Sequence, residues 1–194
     1  MITCLHTAEV HVDTFGALIP NARHIVRTDF LDRARRDGLA AVQAEVAEVL
    51  REAAQHGPVL CTCSTLGPLV DDFGAPNVVR IDRPAMEAAV AGGGEVVVAI
   101  CLDSTRAATL DLFNAVAGGT ATARLVLCDG AWPFFEAGDL DGFRDVIVAA
   151  VDGQGARVLL AQASMAVAAS ALENKGVEVF TTPRAAAQAV LALD

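Results

Sequence analysis

The stretch GPVLCTCSTLG spans residues 57–67 and has the pattern of a buried parallel strand that leads into a helix. A short apolar run follows Gly57 and Pro58, and small hydroxylated residues end it. In an open α/β sheet, ligands bind where such strands end, because backbone N–H groups at the helix start point toward them. The helix dipole also favours an anion there, including a reactive thiolate. Cys63 is therefore the first candidate for a catalytic residue.

The composition indicates a folded protein with a sizeable core. The chain has 194 residues, of which 54% are hydrophobic, enough for one large domain or two small lobes. It carries 14 Lys and Arg against 24 Asp and Glu, a formal charge of −10, and no basic cluster. This charge argues against nucleic acid as a partner.

The sequence also predicts where the protein is found. The N-terminus lacks a basic segment followed by a long apolar run, and no stretch approaches the ~18 apolar residues of a membrane span. We therefore expect a cytoplasmic protein with no membrane partner. The five cysteines are odd in number and lie mostly in strand-like runs, which predicts reduced thiols.

Strand and helix patterns alternate along the chain, which predicts an α/β fold with parallel sheets covered by helices. The clearest helix is expected at residues 38–55, where apolar residues recur at helical spacing. Further helices are expected at 84–91, 105–117, 140–151, 165–175 and 184–193. The predicted strands are 2–6, 24–27, 59–62, 77–81, 95–102, 124–127, 157–161 and 177–180.

The chain contains an internal repeat. Residues 59–65 align with residues 158–164, and both segments end a predicted strand and open a helix. The segments around Thr7 and Thr105, and those leading to Pro84 and Pro183, keep the same spacing. We therefore predict two pseudosymmetric four-stranded lobes, 1–94 and 95–194, joined near residues 92–94 and facing each other across a cleft.

Two such lobes, each with a strand-end turn like Cys63-Ser64-Thr65, resemble the aspartate/glutamate racemase superfamily. That superfamily also includes hydantoin racemases, maleate isomerases and arylmalonate decarboxylases. Its racemases use two facing cysteines, one to remove the α-proton of the substrate and one to return it. The resemblance implies that Cys63 is the first of these, and that the turns at Thr7 and Thr105 hold the substrate carboxylate.

The second cysteine of the resemblance falls on Gln162, which departs from the family pattern. Glutamine has no titratable proton near neutral pH, so exchange between two thiols is disfavoured. Gln162 is expected instead to bind a substrate carboxylate or carbonyl. The full set of predicted substrate-binding residues is Thr7, Ser64, Thr65, Thr105, Gln162 and Ser164.

Two functions remain open from the sequence. The first is a cofactor-independent racemase-like isomerase or decarboxylase-like enzyme that moves a proton next to a carboxylate, with Cys63 as its single cysteine. The second is a non-catalytic protein of the same fold that binds small carboxylates. Both predict a small carboxylate as the ligand.

Neither a cofactor nor a metal site is predicted. Cys61 and Cys63 form a C-x-C pair, but no second ligand pair lies nearby. Gly92-Gly93-Gly94 precedes a strand, the wrong context for a nucleotide-binding loop. The aromatic segment at residues 129–139 predicts either a lid over the site or a contact between copies of the chain in a homo-oligomer.

Overall fold

The computed structural model describes residues 1–194 and contains two sheets, each of four parallel strands. The first sheet has strands β1 (Thr3–His6), β2 (Arg23–Val26), β3 (Val59–Cys61) and β4 (Val78–Arg80), in the order β2-β1-β3-β4. The second has β5 (Gly94–Ile100), β6 (Ala121–Leu127), β7 (Arg157–Leu160) and β8 (Glu178–Thr181), in the order β6-β5-β7-β8. All eight predicted strands are confirmed, and the two sheets share one strand order, as the internal repeat predicts.

Ten α-helices accompany the sheets, so the predicted α/β class is confirmed. They are α1 (Val10–Leu18), α2 (Thr28–Asp37), α3 (Gln43–Ala54), α4 (Gly67–Phe73), α5 (Arg83–Val90), α6 (Arg106–Ala117), α7 (Trp132–Glu136), α8 (Leu140–Val151), α9 (Ala169–Glu173) and α10 (Thr182–Leu191). Short 3-10 turns add Leu39–Ala41, Ser64–Leu66, Asp103–Thr105 and Ala163–Ala168. Helices α1, α2 and α7 were not among the predicted elements. None of the ten helices combines the length and the apolar character needed to cross a lipid bilayer.

The chain divides into two units that do not follow the halves of the sequence. Unit 1 consists of Met1–Asp82 and Pro183–Asp194, and unit 2 consists of Arg83–Thr182. Helix α5 follows the last strand of the first sheet but packs against β7, β8 and α6 in unit 2. Most of α10 belongs to unit 1, although it follows the last strand of the second sheet. The expected boundary between residues 94 and 95 lies inside unit 2.

The core of unit 1 lies on one face of its sheet. Leu5, Val59 and Cys61 are fully buried there, together with apolar side chains of α2, α3 and α4. Because side chains alternate along a strand, Cys4 and His6 lie on the other face of β1. On that face, the ring of His6 lies 5.8 Å from the ring of Phe15 in α1. Both faces of β1 are therefore covered, as expected for a parallel sheet.

Arg80 ends β4 and carries a buried charge. Its guanidinium donates two hydrogen bonds to Asp82, at 2.6 and 2.8 Å, and a third to Asp71. Burial opposes the charge, but the two carboxylates outweigh it and raise the pKa of Arg80. Gly67 at the start of α4 lies against this group, since a Cβ there would clash with the guanidinium of Arg80. A side chain at position 67 would therefore displace the guanidinium.

The aromatic segment of unit 2 forms α7 rather than an irregular loop. Trp132 and Phe135 are partly buried and pack against the core of unit 2, with the Phe135 ring 5.2 Å from that of Phe143. The indole N–H of Trp132 donates to Glu136 at 2.8 Å. Packing within unit 2 thus accounts for Trp132 and Phe135, whereas Phe134 stays 39% exposed.

Candidate active site

The predicted residues of unit 1 meet where its two central strands end. Strands β1 and β3 are neighbours, with Leu5 opposite Cys61. Thr7 and Cys63 each follow two residues later, at the carboxyl end of the sheet. Ligand sites of open parallel sheets lie at this end. The fold therefore brings Thr7 and Cys63 together at the carboxyl end of the sheet.

Cys63 occupies the turn between strand and helix. Its backbone is extended, with φ −109° and ψ 111°, and the 3-10 turn Ser64–Leu66 follows before α4 begins. The side chain of Cys63 is 7% exposed, while Ser64 is exposed and Thr65 is half-buried. The thiol of Cys61 points toward the backbone carbonyl of Cys63, at 3.9 Å. Cys61 itself is fully buried in the core of unit 1.

The other thiols are in less reactive surroundings. Burial raises the pKa values of Cys4 and Cys61 to about 12. In unit 2, a hydrogen bond to Cys128 raises the pKa of Cys101, and burial adds to this effect. The same hydrogen bond lowers the pKa of Cys128, but that thiol is fully buried and so is shielded from reagents in solution. All five cysteines are free thiols, as predicted.

These differences predict that iodoacetamide at neutral pH labels Cys63 before the other cysteines. The thiolate is the reactive form, and only a thiol in contact with solvent meets the reagent. Cys4, Cys61 and Cys128 have no exposed surface, and Cys101 is held by its thiol partner. Short exposures followed by peptide mass spectrometry measure the order of labelling. Equal or earlier labelling of Cys101 would contradict the prediction.

His6, the last residue of β1, belongs to a chain of hydrogen bonds next to the carboxyl end of the sheet. Its Nδ1 lies 2.8 Å from the hydroxyl of Thr62, and its Nε2 lies 2.8 Å from Nδ1 of His24. Burial, followed by repulsion from His24 and His11, lowers the pKa of His6 to about 4. The imidazole is therefore neutral at neutral pH. Hydrogen bonds on both ring nitrogens hold the imidazole in place.

In unit 2, Gln162 holds the position that corresponds to Cys63. It too follows a central strand, has an extended backbone with φ −118° and ψ 142°, and precedes a 3-10 turn, Ala163–Ala168. Its side-chain oxygen accepts a hydrogen bond of 2.5 Å from the backbone N–H of Cys101, at the end of the neighbouring strand. The amide NH₂ group is the part of Gln162 that can donate to a ligand.

Thr105 and Ser164 also follow central strands of unit 2. Ser164 is half-buried in the turn after Gln162. The hydroxyl of Thr105 donates to the carbonyl of Leu102 at 2.7 Å, so a carboxylate would have to replace that acceptor. Two groups of predicted residues thus lie at the carboxyl ends of the two sheets. In unit 1 they are Thr7, Cys63, Ser64 and Thr65, and in unit 2 they are Thr105, Gln162 and Ser164.

Thr182 is a candidate that the sequence analysis did not select. It follows β8, is 1% exposed, and its hydroxyl has no hydrogen-bond partner. A buried hydroxyl without a partner is costly, which draws attention to it as a ligand-binding group. In the sequence, the Thr-Thr-Pro pattern at residues 181–183 is typical of a helix cap. The structure shows how the two threonines differ: Thr181 ends β8, whereas Thr182 begins α10 and has the hydroxyl without a partner.

Comparisons with known proteins show similarity in structure only. No protein-family model matches the chain, and no curated protein sequence matches it either. An aspartate racemase from Picrophilus torridus superposes with a TM-score of 0.70 at 13% identity, over 98% of this chain and 92% of that one. An allantoin racemase from Klebsiella pneumoniae gives 0.68 at 18% identity, over 99% and 86%. An arylmalonate decarboxylase gives 0.65 at 14% identity, over 100% and 92%.

These structures share the arrangement of two four-stranded parallel sheets covered by helices. The chain therefore has the fold of these racemases and of the decarboxylase, and the fold implied by the sequence resemblance is confirmed. At such low identity the likeness defines a racemase-like fold. The residues at the strand ends must supply the argument for an activity.

Proposed function

We propose that this protein is a cofactor-independent enzyme that transfers a proton at a carbon next to a carboxylate, with Cys63 as the acid or base. The observation that carries the proposal is the position of Cys63. It is the thiol of unit 1 that lies at the carboxyl end of a central strand, beside Thr7, and it is not buried as deeply as Cys61. The racemase-like fold supports proton transfer over other reactions of a thiol.

The hydroxyl and amide groups at the strand ends suit a carboxylate ligand. Ser64 and Thr65 follow Cys63 directly, and Thr7 is on the neighbouring strand. In unit 2, we assign the same role to Ser164 and to the amide NH₂ of Gln162. Thr105 would join them once its hydroxyl leaves the carbonyl of Leu102. Neutral donors bind an anion without a local excess of basic side chains, in keeping with the net charge of −10.

A single titratable group limits the outcome of the reaction. Racemisation with two bases requires a proton donor on each face of the substrate carbon. Gln162 stands where the second thiol would be, and an amide does not donate a proton at neutral pH. We therefore infer a reaction in which the proton is transferred on one face of the substrate carbon. It is exchange with retention, isomerisation, or protonation after loss of CO₂.

The proposal predicts deuterium exchange without inversion. The protein would be incubated in D₂O with single enantiomers of amino and 2-substituted acids, and separately with 2-substituted malonates. Proton NMR follows loss of the α-proton, chiral chromatography follows inversion, and CO₂ release follows decarboxylation. We expect exchange with retention, or a decarboxylated product of one handedness.

Two results would count against it. Rapid inversion by the wild-type protein would mean that a second base has been missed, with Cys128 and Asp129 the next residues to test. Binding of carboxylates without exchange, isomerisation or CO₂ release across the panel would replace the enzyme by a non-catalytic carboxylate-binding protein. Ligand binding is measured on the same samples by calorimetry, so the two results are distinguished.

A further inference from the structure

The register of the first sheet brings three metal-binding side chains together. Cys4 of β1 is paired directly with His24 of β2. His6 lies two residues beyond Cys4 and therefore on the same face of β1. The sulfur of Cys4 and one ring nitrogen from each histidine all lie within 4.8 Å of one another. This cluster lies on the sheet face that α1 covers, opposite the face that carries Cys61.

The hydrogen bonds around His6 determine which nitrogen is available. The hydroxyl of Thr62 donates its single proton to the carbonyl of Leu5, at 3.1 Å. It must then accept from Nδ1–H of His6, which leaves the lone pair on Nε2. That lone pair faces Nδ1 of His24 at 2.8 Å. Histidines that bind metals are commonly oriented in this way, with the second ring N–H donated to a fixed acceptor.

We propose that Cys4, His6 and His24 form a binding site for one divalent metal ion of the zinc type. The ligand atoms are Sγ of Cys4, Nε2 of His6 and Nδ1 of His24. The ion takes the place of the proton that His24 shares with His6. His24 then carries its proton on Nε2.

The chemistry of the three ligands favours Zn²⁺ or Co²⁺ over Mg²⁺ and Ca²⁺. Thiolate and imidazole suit zinc-type ions, whereas Mg²⁺ and Ca²⁺ prefer oxygen. Tetrahedral Zn²⁺, with bonds of about 2.0–2.3 Å, separates its ligand atoms by roughly 3.3–3.6 Å. The two histidine nitrogens would need to move apart slightly, and His24 is half-buried and adjustable. Binding releases one proton, from the thiol of Cys4, and leaves the fourth position of the ion open.

The position in the sheet indicates what the ion would do. Strand β2 is at the edge of the sheet, and β1 is its sole neighbour. An ion held by Cys4, His6 and His24 would link the edge strand to the centre. Because Cys4 and His6 are fully buried, His24 is the ligand closest to solvent. The ion would therefore enter the site from the side of His24. Metal binding should therefore stabilise unit 1.

Cobalt provides a direct test because a thiolate bound to Co²⁺ gives a charge-transfer absorption in the near ultraviolet. The purified protein, treated with a chelator and dialysed, would be titrated with Co²⁺ and then with Zn²⁺. We expect the absorption to saturate at one equivalent of Co²⁺, to disappear when Zn²⁺ replaces it, and to be absent in Cys4→Ser. His24→Gln should weaken Co²⁺ binding by at least about 10-fold, and it should abolish the rise in Tm caused by Zn²⁺.

Two matched variants control for other sites. His56→Gln removes an exposed histidine, and Cys101→Ser removes a thiol of unit 2, so both should bind Co²⁺ like the wild type. The proposal is overturned if no charge-transfer absorption forms at stoichiometric Co²⁺. It is also overturned if the absorption persists in Cys4→Ser and disappears in Cys101→Ser. Should Cys4→Ser not fold, unchanged Co²⁺ affinity in the half-buried His24→Gln variant would be decisive against it.

Discussion

Replacement of Cys63 by serine should lower the rate of α-proton exchange or decarboxylation by about 10²–10⁴-fold, the usual contribution of a positioned acid or base. Serine is close to cysteine in size, so the strand-end turn and the donors next to it should stay in place. Its hydroxyl, however, is not ionised near neutral pH without a partner base. The rate constant is measured by NMR in D₂O with the substrate that the panel identifies, and carboxylate binding is measured alongside.

The matched control for this variant is Cys61→Ala. Cys61 lies two residues earlier, on the same side of the strand, but it is fully buried and its thiol points to the carbonyl of Cys63. Its removal should lower stability slightly and leave the rate within a few-fold of the wild type. If Cys63→Ser kept more than a tenth of the wild-type rate, the role assigned to Cys63 would be wrong.

Removal of the buried Arg80 side chain should have the largest effect on stability. Arg80→Ala leaves Asp82 without its two hydrogen bonds, although the side chain of Asp82 is only 8% exposed. An unpaired charge at such a site costs about 3–5 kcal/mol. Urea unfolding followed by circular dichroism measures the change, and we expect a lower midpoint with an unchanged m value.

Two further variants separate the charge from the packing. Gly67→Ala should displace the guanidinium by steric contact and destabilise the protein without removing any charge. Arg36→Ala removes an ion pair of similar geometry with Asp37, but both groups are exposed. It should leave the free energy of unfolding unchanged. A loss in Arg80→Ala no larger than in Arg36→Ala would refute the importance of the buried pair.

The strands of this protein could be predicted from the sequence because each is a short apolar run between turn residues. Helix α1 could not, because its apolar residues are not gathered on one helical face, and α2 could not, because few of its residues are apolar. Phe15 is the fully buried residue of α1, and Gly16 interrupts its pattern. In α2 the buried residues are Phe30 and Ala34, Leu31 is partly buried, and the remainder is polar. Ion pairs such as Arg33 with Glu45 on α3 attach α2 to unit 1 through contacts distant in sequence.

Some residues of the candidate site could likewise be predicted from the sequence, and others could not. Cys63 and Gln162 were predictable because each follows a recognisable strand, and strand ends are where parallel sheets bind ligands. The bond from Gln162 to the backbone of Cys101 was not predictable, since it depends on which strands are neighbours. The same is true of His24, which carries no motif and meets Cys4 and His6 through the pairing of β1 with β2.

Helix α5 belongs to unit 2, although it follows the first sheet, and most of α10 belongs to unit 1, although it follows the second. This arrangement affects how the chain can fold on the ribosome. Synthesis of unit 1 begins first, but α10, with its buried Ala186 and Val190, is made after the whole of unit 2. A nascent chain of the first 94 residues would also expose the apolar side of α5, including Met86 and Val90, because the sheet that covers it does not yet exist. The first unit to emerge is therefore the last to be completed, and its folding intermediate exposes apolar surface until unit 2 and α10 have been made.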